Sequence, residues 1–457
     1  MSLQLRCLPL VLLVFLCGLS LSVQAEIPNT PADTQKQNTH EYKLENGLKL
    51  IVREDHRAPL VVTQVWYKVG GSYESNGITG ISHALEHMMF RGTTKHPKDE
   101  FSRLIAIGGG DQNAFTGDDF TAYFQELEVD RLKLCFELEA DRMANLTLPA
   151  DAFDQEIKVV MEERRLRVDD NPEELARERL RTAAHISNPY HHDTIGWMND
   201  LENLRVEDLR TWYNTWYAPN NATVVVVGDV DPEAVLQLAK TYFGPLKPKN
   251  IPTLKPRKEI ANLGKRTVQV QANAMVPRLL MAYNVPSLPN AADPKESYAL
   301  TVLLMALDGG NSSRISKDLV RGQSLVTNVR SSYHWFDLHE TLLEISALPT
   351  QNHTLPEVEA AFLEQIAKLQ SAPLSDAELN RVKVNAIAQH VFTKDSMAEQ
   401  AIGIGILETV GLSWKVIDEY PEQIQKVTAA DVQKVAQKYL TPERLTTTHL
   451  IPLQTGT

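Results

Sequence analysis

Three cysteines in 457 residues leave little room for sulfur chemistry. Cys7 and Cys17 lie in an apolar stretch at the N-terminus, and Cys135 stands alone in the remainder. Without that stretch no intrachain disulfide can form, and a thiolate zinc cluster is excluded. In "LKLCFEL" a lone thiol reads as a small buried residue rather than a nucleophile. Positive charge is also short: 46 Lys and Arg face 58 Asp and Glu, a formal net charge of −12. That balance argues against a nucleic-acid partner. Beyond residue 25 there is no second long apolar run, so the rest of the chain is not expected to span a membrane. The full chain is 43% hydrophobic and 23% charged, the composition of a soluble globular protein long enough for two or three domains.

Residues 1–25 have the layout of a secretory signal peptide. Arg6 supplies the positive charge, "LPLVLLVFLCGLSLS" the apolar core, and "VQA", Val23 to Ala25, a small-x-small cleavage site before Glu26. The apolar run is short for a spanning helix, so cleavage is expected, with an uncleaved anchor as the alternative. The mature protein is then periplasmic or secreted, with no membrane attachment. Leu16 before Cys17 does not suit lipoprotein processing. Residues 26–40 are polar, carry two prolines and read as a flexible leader.

"YKLENGLKLIVRED" predicts a hairpin turning at Asn46-Gly47. "LVVTQVWYKVGG" is β-rich and ends on two glycines, and "NATVVVVGDV" is a buried strand. "DPEAVLQLAKTYFGPL" is a helix with Asp231 as N-cap and Pro232 in its first turn. The proline- and lysine-rich segment 244–258 is the best linker, dividing domain 41–243 from domain 259–457. The two parts look duplicated. At an offset of 223, "VEDLRTWYNTWYAPNNAT" lies on "AADVQKVAQKYLTPERLT", so that Asp208 meets Asp431 and Pro219 meets Pro442. In the second part "ESYALTVLLMALDGG" occupies the region comparable to a histidine-bearing segment of the first.

That segment is "GISHALEHMMFRGT", Gly80 to Thr93. On a helix His83, Glu86 and His87 project from one face. Two imidazoles four apart suit zinc, and Glu86 stands where it could take a proton from a water. The pattern is the His-x-x-Glu-His inverzincin motif; helix-surface or core histidines are the bland alternative. A catalytic zinc needs a third ligand. In "QEIKVVMEERRL" the stripe Phe153, Ile157 and Val160 places Glu156 and Glu163 on its inward side and Glu162 on the other. An inward carboxylate needs a cation or donors. Zinc would satisfy Glu163, an arginine is the alternative partner, and for Glu156 the arginine is a strong competitor. His191 and His192 read as hydrogen-bonding residues, His96 as exposed, Asp169 to Pro172 as a solvated acidic turn and "DGGNSSR" as a loop.

The histidine segment, followed by "GGGDQNAFTGDDFTAYF" and by Glu163 76 residues after His87, resembles the pitrilysin/insulysin/mitochondrial processing peptidase family. The likeness is greatest to its short two-domain bacterial and mitochondrial branch and runs in order through residues 40–457. The resemblance implies an α+β fold of two homologous domains, each an antiparallel-rich sheet flanked by helices. It implies one zinc per chain, held by His83, His87 and Glu163, in an endopeptidase with Glu86 as general base. Glu156 matches a supporting carboxylate near the metal. Asn113, Ala114 and Phe115 match the edge strand that takes the peptide substrate, although Asn113 also reads as a turn residue after the glycines. A non-catalytic peptide-binding or assembly subunit is the rival function.

The family's second domain commonly supplies an arginine and a tyrosine seven apart. In "SKDLVRGQSLVTNVRSSY", aligned on Leu325, those places hold Val320 and Thr327, with Arg321 one position off and Tyr333 displaced. The expectation is a heterodimer in which a homologous metal-free subunit supplies the missing pair. A homodimer with Arg321 standing in is second.

Overall fold

A computed structural model of the protein describes residues 38–260 and 264–453. The segment read as a signal peptide and most of the segment read as a leader lie outside them.

Strands β1 (Thr39–Lys43) and β2 (Lys49–Glu54) pair antiparallel around the expected turn. Leu44 N–H donates to Leu48 O at 2.9 Å, and Gly47 sits at φ +91°, a left-handed conformation that glycine adopts without strain. Pairing starts at Thr39, so the last two residues of the segment read as leader, 39 and 40, are strand. Next come β3 (Leu60–Tyr67), α1 (Ile81–Met88), α2 (Glu100–Ile107), β4 (Asp111–Thr116), β5 (Thr121–Glu128), α3 (Leu132–Asn145) and α4 (Ala150–Arg164). The charged stretch from α4 onward is interrupted near the acidic turn Asp169 to Pro172. A wide turn at Arg165–Asp169 follows α4, and α5 (Pro172–Ala184) starts afresh with Asn171 as its N-cap and Pro172 in its first turn. Helices α6 (Met198–Asn203) and α7 (Val206–Trp216), strand β6 (Ala222–Gly228) and α8 (Pro232–Tyr242) complete this half. Asp231 caps α8 by accepting from Ala234 N–H at 2.8 Å.

The first sheet runs β1-β2-β6-β3-β5-β4, with β2 and β6 parallel and every other pair antiparallel. Segment 245–260 has no regular structure, yet it is tied down. Asn220 exchanges bonds with the backbone of Lys249, and Ser187 Oγ donates to Lys258 O.

The second half holds β7 (Arg266–Ala272), β8 (Arg278–Val285), α9 (Pro294–Asp308), β9 (Val326–Tyr333), β10 (Thr341–Pro349), helices α10 (Leu355–Ser371), α11 (Asp376–Thr393), α12 (Met397–Thr409), α13 (Lys415–Lys426) and α14 (Ala429–Tyr439), and β11 (Leu445–Pro452). Its sheet runs β7-β11-β8-β10-β9, with β7 and β11 parallel. This is the first sheet without β1. The offset of 223 carries both ends of α7 onto those of α14, and the start of β6 onto that of β11. The fold is α+β, two antiparallel-rich sheets each flanked by helices.

Period-two alternation gives each sheet two buried faces. From β3, Val61, Val65 and Tyr67 point into one core with α1, α3, α7 and α8, while Val62 and Trp66 point the other way. The element covering that other face is α12, from the second half, through Ala401, Ile404 and Leu407. Reciprocally, α5 of the first half covers Leu280, Ala282 and Leu450 of the second sheet with Ala176, Leu180 and Ala184. Each large side chain buried at these crossings contributes about 1.5–3 kcal/mol. Gly405 lets α12 lie against the Trp66 ring, because a Cβ there would overlap the indole.

Candidate active site

Helix α1 is short, and its placement is set by the loop before it. Ile81, Ala84, Leu85 and Met88 anchor it in the first core. Gly80 precedes it at φ +84°, and a Cβ there would stand 2.5 Å from Ile195 O. The Glu74 carboxyl accepts from Gly80 N–H at 2.7 Å and Ser82 N–H at 2.9 Å, satisfying two free donors at the helix N-terminus. Burial pushes Glu74 up to about 8, against those two bonds. Asp200 holds the same loop through Thr79 Oγ1, Thr79 N–H and Gly77 N–H. With the apolar residues turned inward, His83, Glu86 and His87 share the opposite side.

Helix α4 supplies the rest. Phe153 and Val160 are buried, Ile157 is partly so, and the inward carboxylates are Glu156 and Glu163. Glu162 turns outward to Arg165. Glu163 Oε2 lies 3.6 Å from His83 Nε2 and 3.3 Å from His87 Nε2, and one donor atom from each of the three residues falls within 4.8 Å of the others. Ligands about 2.0–2.2 Å from a tetrahedral ion stand roughly 3.3–3.6 Å apart, so both distances suit zinc. No other group of three such side chains occurs among the described residues. Burial, with His87 and Arg167 adding, pushes His83 down to about 3 and leaves the imidazole neutral, the form that binds metal.

Around these donors stand residues that sequence reading weighed incompletely or missed. Glu156 has both of its candidate partners. Its Oε1 meets Arg91 Nη2 at 2.6 Å, and its Oε2 lies 3.5 Å from His87 Nδ1, the ring nitrogen facing away from Glu163. Arg167 Nη2 pairs with Glu163 Oε1 at 2.6 Å, four residues along. Thr116 Oγ1 donates to Glu86 Oε2 at 2.5 Å. Burial pushes the Glu86 carboxyl up, opposed by that bond. Arg91 and Arg167 sit at helical spacing from His87 and Glu163, a visible signal. The Thr116 contact spans 30 residues and had none.

Strand β4 forms the outer edge of the first sheet, and Asn113, Ala114 and Phe115 lie on it, so Asn113 is a strand residue rather than a turn. Phe115 packs edge-on against Trp66, ring centroids 5.3 Å apart. Strand β4 and the turn after α4 border a cavity of about 760 Å³, which His83, Glu86, His87, Glu163, Leu166 and Arg167 also line. Elsewhere, His191 bonds Asn188 O and Asn76, and His192 bonds Asp193 O. Asp169 pairs with Arg164 at 3.2 Å. His96, expected to be exposed, is only 19% so, because its ring folds back toward Glu100.

A family model described as Insulinase (Peptidase family M16) matches residues 49–196, and one described as Peptidase M16 inactive domain matches 203–385. The zinc protease PqqE of Helicobacter pylori is 31% identical over 448 residues, 97% of either chain. The chain belongs to peptidase family M16. The uncharacterized zinc protease YmxG of Bacillus subtilis is 24% identical over 404 residues, 88% of this chain and 96% of that one. A crystal structure of a protease from Helicobacter pylori matches with a TM-score of 0.85 at 29% identity, covering 91% of this chain and 99% of that one. The first half of the periplasmic protease PqqL from Escherichia coli, TM-score 0.76 at 20% identity over 91% and 92% of the two chains, shares the fold. The second M16 match begins at residue 203, although α7, β6 and α8 belong to the first sheet and core. The protein is thus of the protease class, with relatives named zinc proteases. No described helix is long and apolar enough to cross a membrane.

Among the described residues, the second half of this M16 chain brings none to the cavity lining. Arg321 donates to Asn311 O and Ser316 O, Tyr333 Oη to Pro286 O at 2.6 Å, and Thr327 Oγ1 to Leu348 O at 3.3 Å. Val320 is partly buried against the second core.

Proposed function

We propose that the protein is an exported zinc-dependent endopeptidase acting on peptides or unfolded segments. The observation that carries this reading is the convergence of His83, His87 and Glu163, with Glu86 in the same cavity, beside an open sheet edge. The three donors would hold one zinc, which when bound lowers the pKa of a water toward 7 and polarises a carbonyl. Glu86 takes the proton of the attacking water and returns it to the leaving amine. A raised carboxyl suits both transfers. Strand β4, through Asn113 to Phe115, holds an extended peptide by main-chain bonds. Glu156 supports the metal set by fixing the His87 ring from its far nitrogen.

Metal analysis and one substitution test the reading. The purified chain should carry about one zinc, lost in His83→Ala, as one three-ligand site requires. Glu86→Gln should keep zinc and peptide binding but lose cleavage. Zinc-free protein that binds peptide would instead identify a non-catalytic binding or assembly subunit. Normal cleavage by Glu86→Gln would refute the proton transfers above.

We further propose that this chain is the metal-bearing member of a pair, with a homologous metal-free subunit supplying an arginine and a tyrosine. The first-half-only lining of the cavity and the local engagement of Arg321 and Tyr333 support this. A full cleavage rate from the chain alone, unchanged by dilution or by an added partner, would refute it. A rate that falls on dilution and is lost in Arg321→Ala would favour the homodimer.

A further inference from the structure

Glu86 is a flexible side chain on a helix of eight residues, and a proton-transfer group must be held in place to work. Among the described residues its carboxylate has one hydrogen-bond partner, the Thr116 hydroxyl at 2.5 Å. The backbone that carries that hydroxyl is held on both sides. Thr116 ends β4, paired with Thr121 across the β4–β5 ladder, and its branched side chain has few rotamers. The turn beyond it closes through Gly117 N–H to Phe120 O at 2.9 Å. Gly71 N–H donates to Gly117 O at 3.1 Å, and Ser72 N–H to Asp118 O at 2.6 Å. Asp119 accepts from Ser72 Oγ, Tyr190 Oη and Leu338 N–H, the last from the second half.

The bond engages Glu86 Oε2, and Glu86 itself lines the cavity. Alternation along the strand puts Ala114 on the same face as Thr116, and both line the cavity. We propose that Thr116 is the positioning residue for Glu86, so that one strand both receives the peptide and orients the group that moves the proton. The inference rests on the metallopeptidase reading above. A peptide that adds to β4 orders the strand whose Thr116 holds the Glu86 carboxylate, linking substrate docking to alignment of the base.

Thr116→Val keeps the shape and β-propensity but removes the donor, and Thr116→Ser restores it. Zinc content, turnover of an internally quenched unstructured peptide, and affinity for that peptide in a Glu86→Gln background separate the roles. Thr116→Val should keep its zinc and its peptide affinity, hold KM within about twofold, and lose about 10- to 100-fold in kcat. Thr116→Ser should recover to within about threefold of wild type, since a fixed hydroxyl is what the alignment needs. A Thr116→Val kcat within about twofold of wild type overturns the proposal, because misplacing a reacting group costs far more. A serine variant as slow as the valine one overturns it too, as does a loss confined to peptide affinity. Wild-type chain with neither zinc nor turnover overturns the metallopeptidase reading and this inference with it. A defect in Thr116→Val alone leaves that reading intact.

Discussion

Glu156 is where two roles compete in one carboxylate, and replacing it separates them. Its buried oxygens divide between Arg91 Nη2 at 2.6 Å and His87 Nδ1 at 3.5 Å. If Glu156 orients the His87 ring, Glu156→Gln and Glu156→Ala should weaken zinc binding by about 10- to 100-fold, or roughly 1.4–2.7 kcal/mol. If it serves only as an ion partner, zinc affinity stays put and the loss appears in folding. A fully buried ion pair broken from one side costs about 3–5 kcal/mol. The Arg91 side chain is 25% exposed and retains Asp99 at 4.0 Å, so about 1–2 kcal/mol is expected here. Zinc competition against a chromogenic chelator reads the first quantity, and urea unfolding of metal-free protein the second. Arg91→Ala is the control, since it removes the ion pair and leaves the carboxylate beside His87. Wild-type zinc affinity in Glu156→Gln, together with an earlier urea midpoint, would refute the orienting role.

Metal-free protein should lose stability on acidification through His83. The folded imidazole protonates near pH 3 and the unfolded one near 6.5, so the unfolded state holds the extra proton between them. Stability from this residue is complete above pH 6.5 and falls by about 1.4 kcal/mol per unit as pH drops toward 3. Urea midpoints across that range should flatten in His83→Asn, and an unchanged slope would contradict the assignment. Gly405→Ala should destabilise by about 1–2 kcal/mol, because the clash with Trp66 outweighs a helix-propensity gain near 1 kcal/mol. Equal or greater stability in urea would show that α12 does not press on the ring. Burial pushes the Cys135 thiol up and encloses it, so its labelling by a thiol-reactive dye should follow global unfolding. Rapid labelling of folded protein would count against that.

Periodicity carried the convergence of the candidate ligands. Spacing put His83, Glu86 and His87 on one face, and the phase of the Phe153–Val160 stripe turned Glu163 inward and Glu162 outward. Both are local facts of helix geometry. The same phase turned Glu156 inward but could not choose between arginine and histidine, because that choice depends on how α1 and α4 cross. The Thr116–Glu86 bond joins a strand to a helix 30 residues earlier, and no pattern of either announces the other. The break between α4 and α5 was legible in the acidic turn Asp169 to Pro172, whose Asn171-Pro172 supplies a cap and a first-turn proline. The crossing of α5 and α12 was illegible for a different reason. A helix shows that it has an apolar face, but not which of two similar sheets that face will cover.

That crossing bears on how the chain could be divided. Cutting in segment 245–260 would leave the N-terminal piece with the Trp66 face of its sheet bare and the apolar side of α5 without a partner. The C-terminal piece would carry the complementary defects: α12 stripped of its cover, and Leu280, Ala282 and Leu450 open to water. Neither piece is a finished globule, so each should be sticky and poorly soluble when produced alone. Produced together, the two pieces hold each other's missing layer and should reassemble as a two-chain protein. The covalent connection then matters less than the two borrowed helices, which act as a clasp.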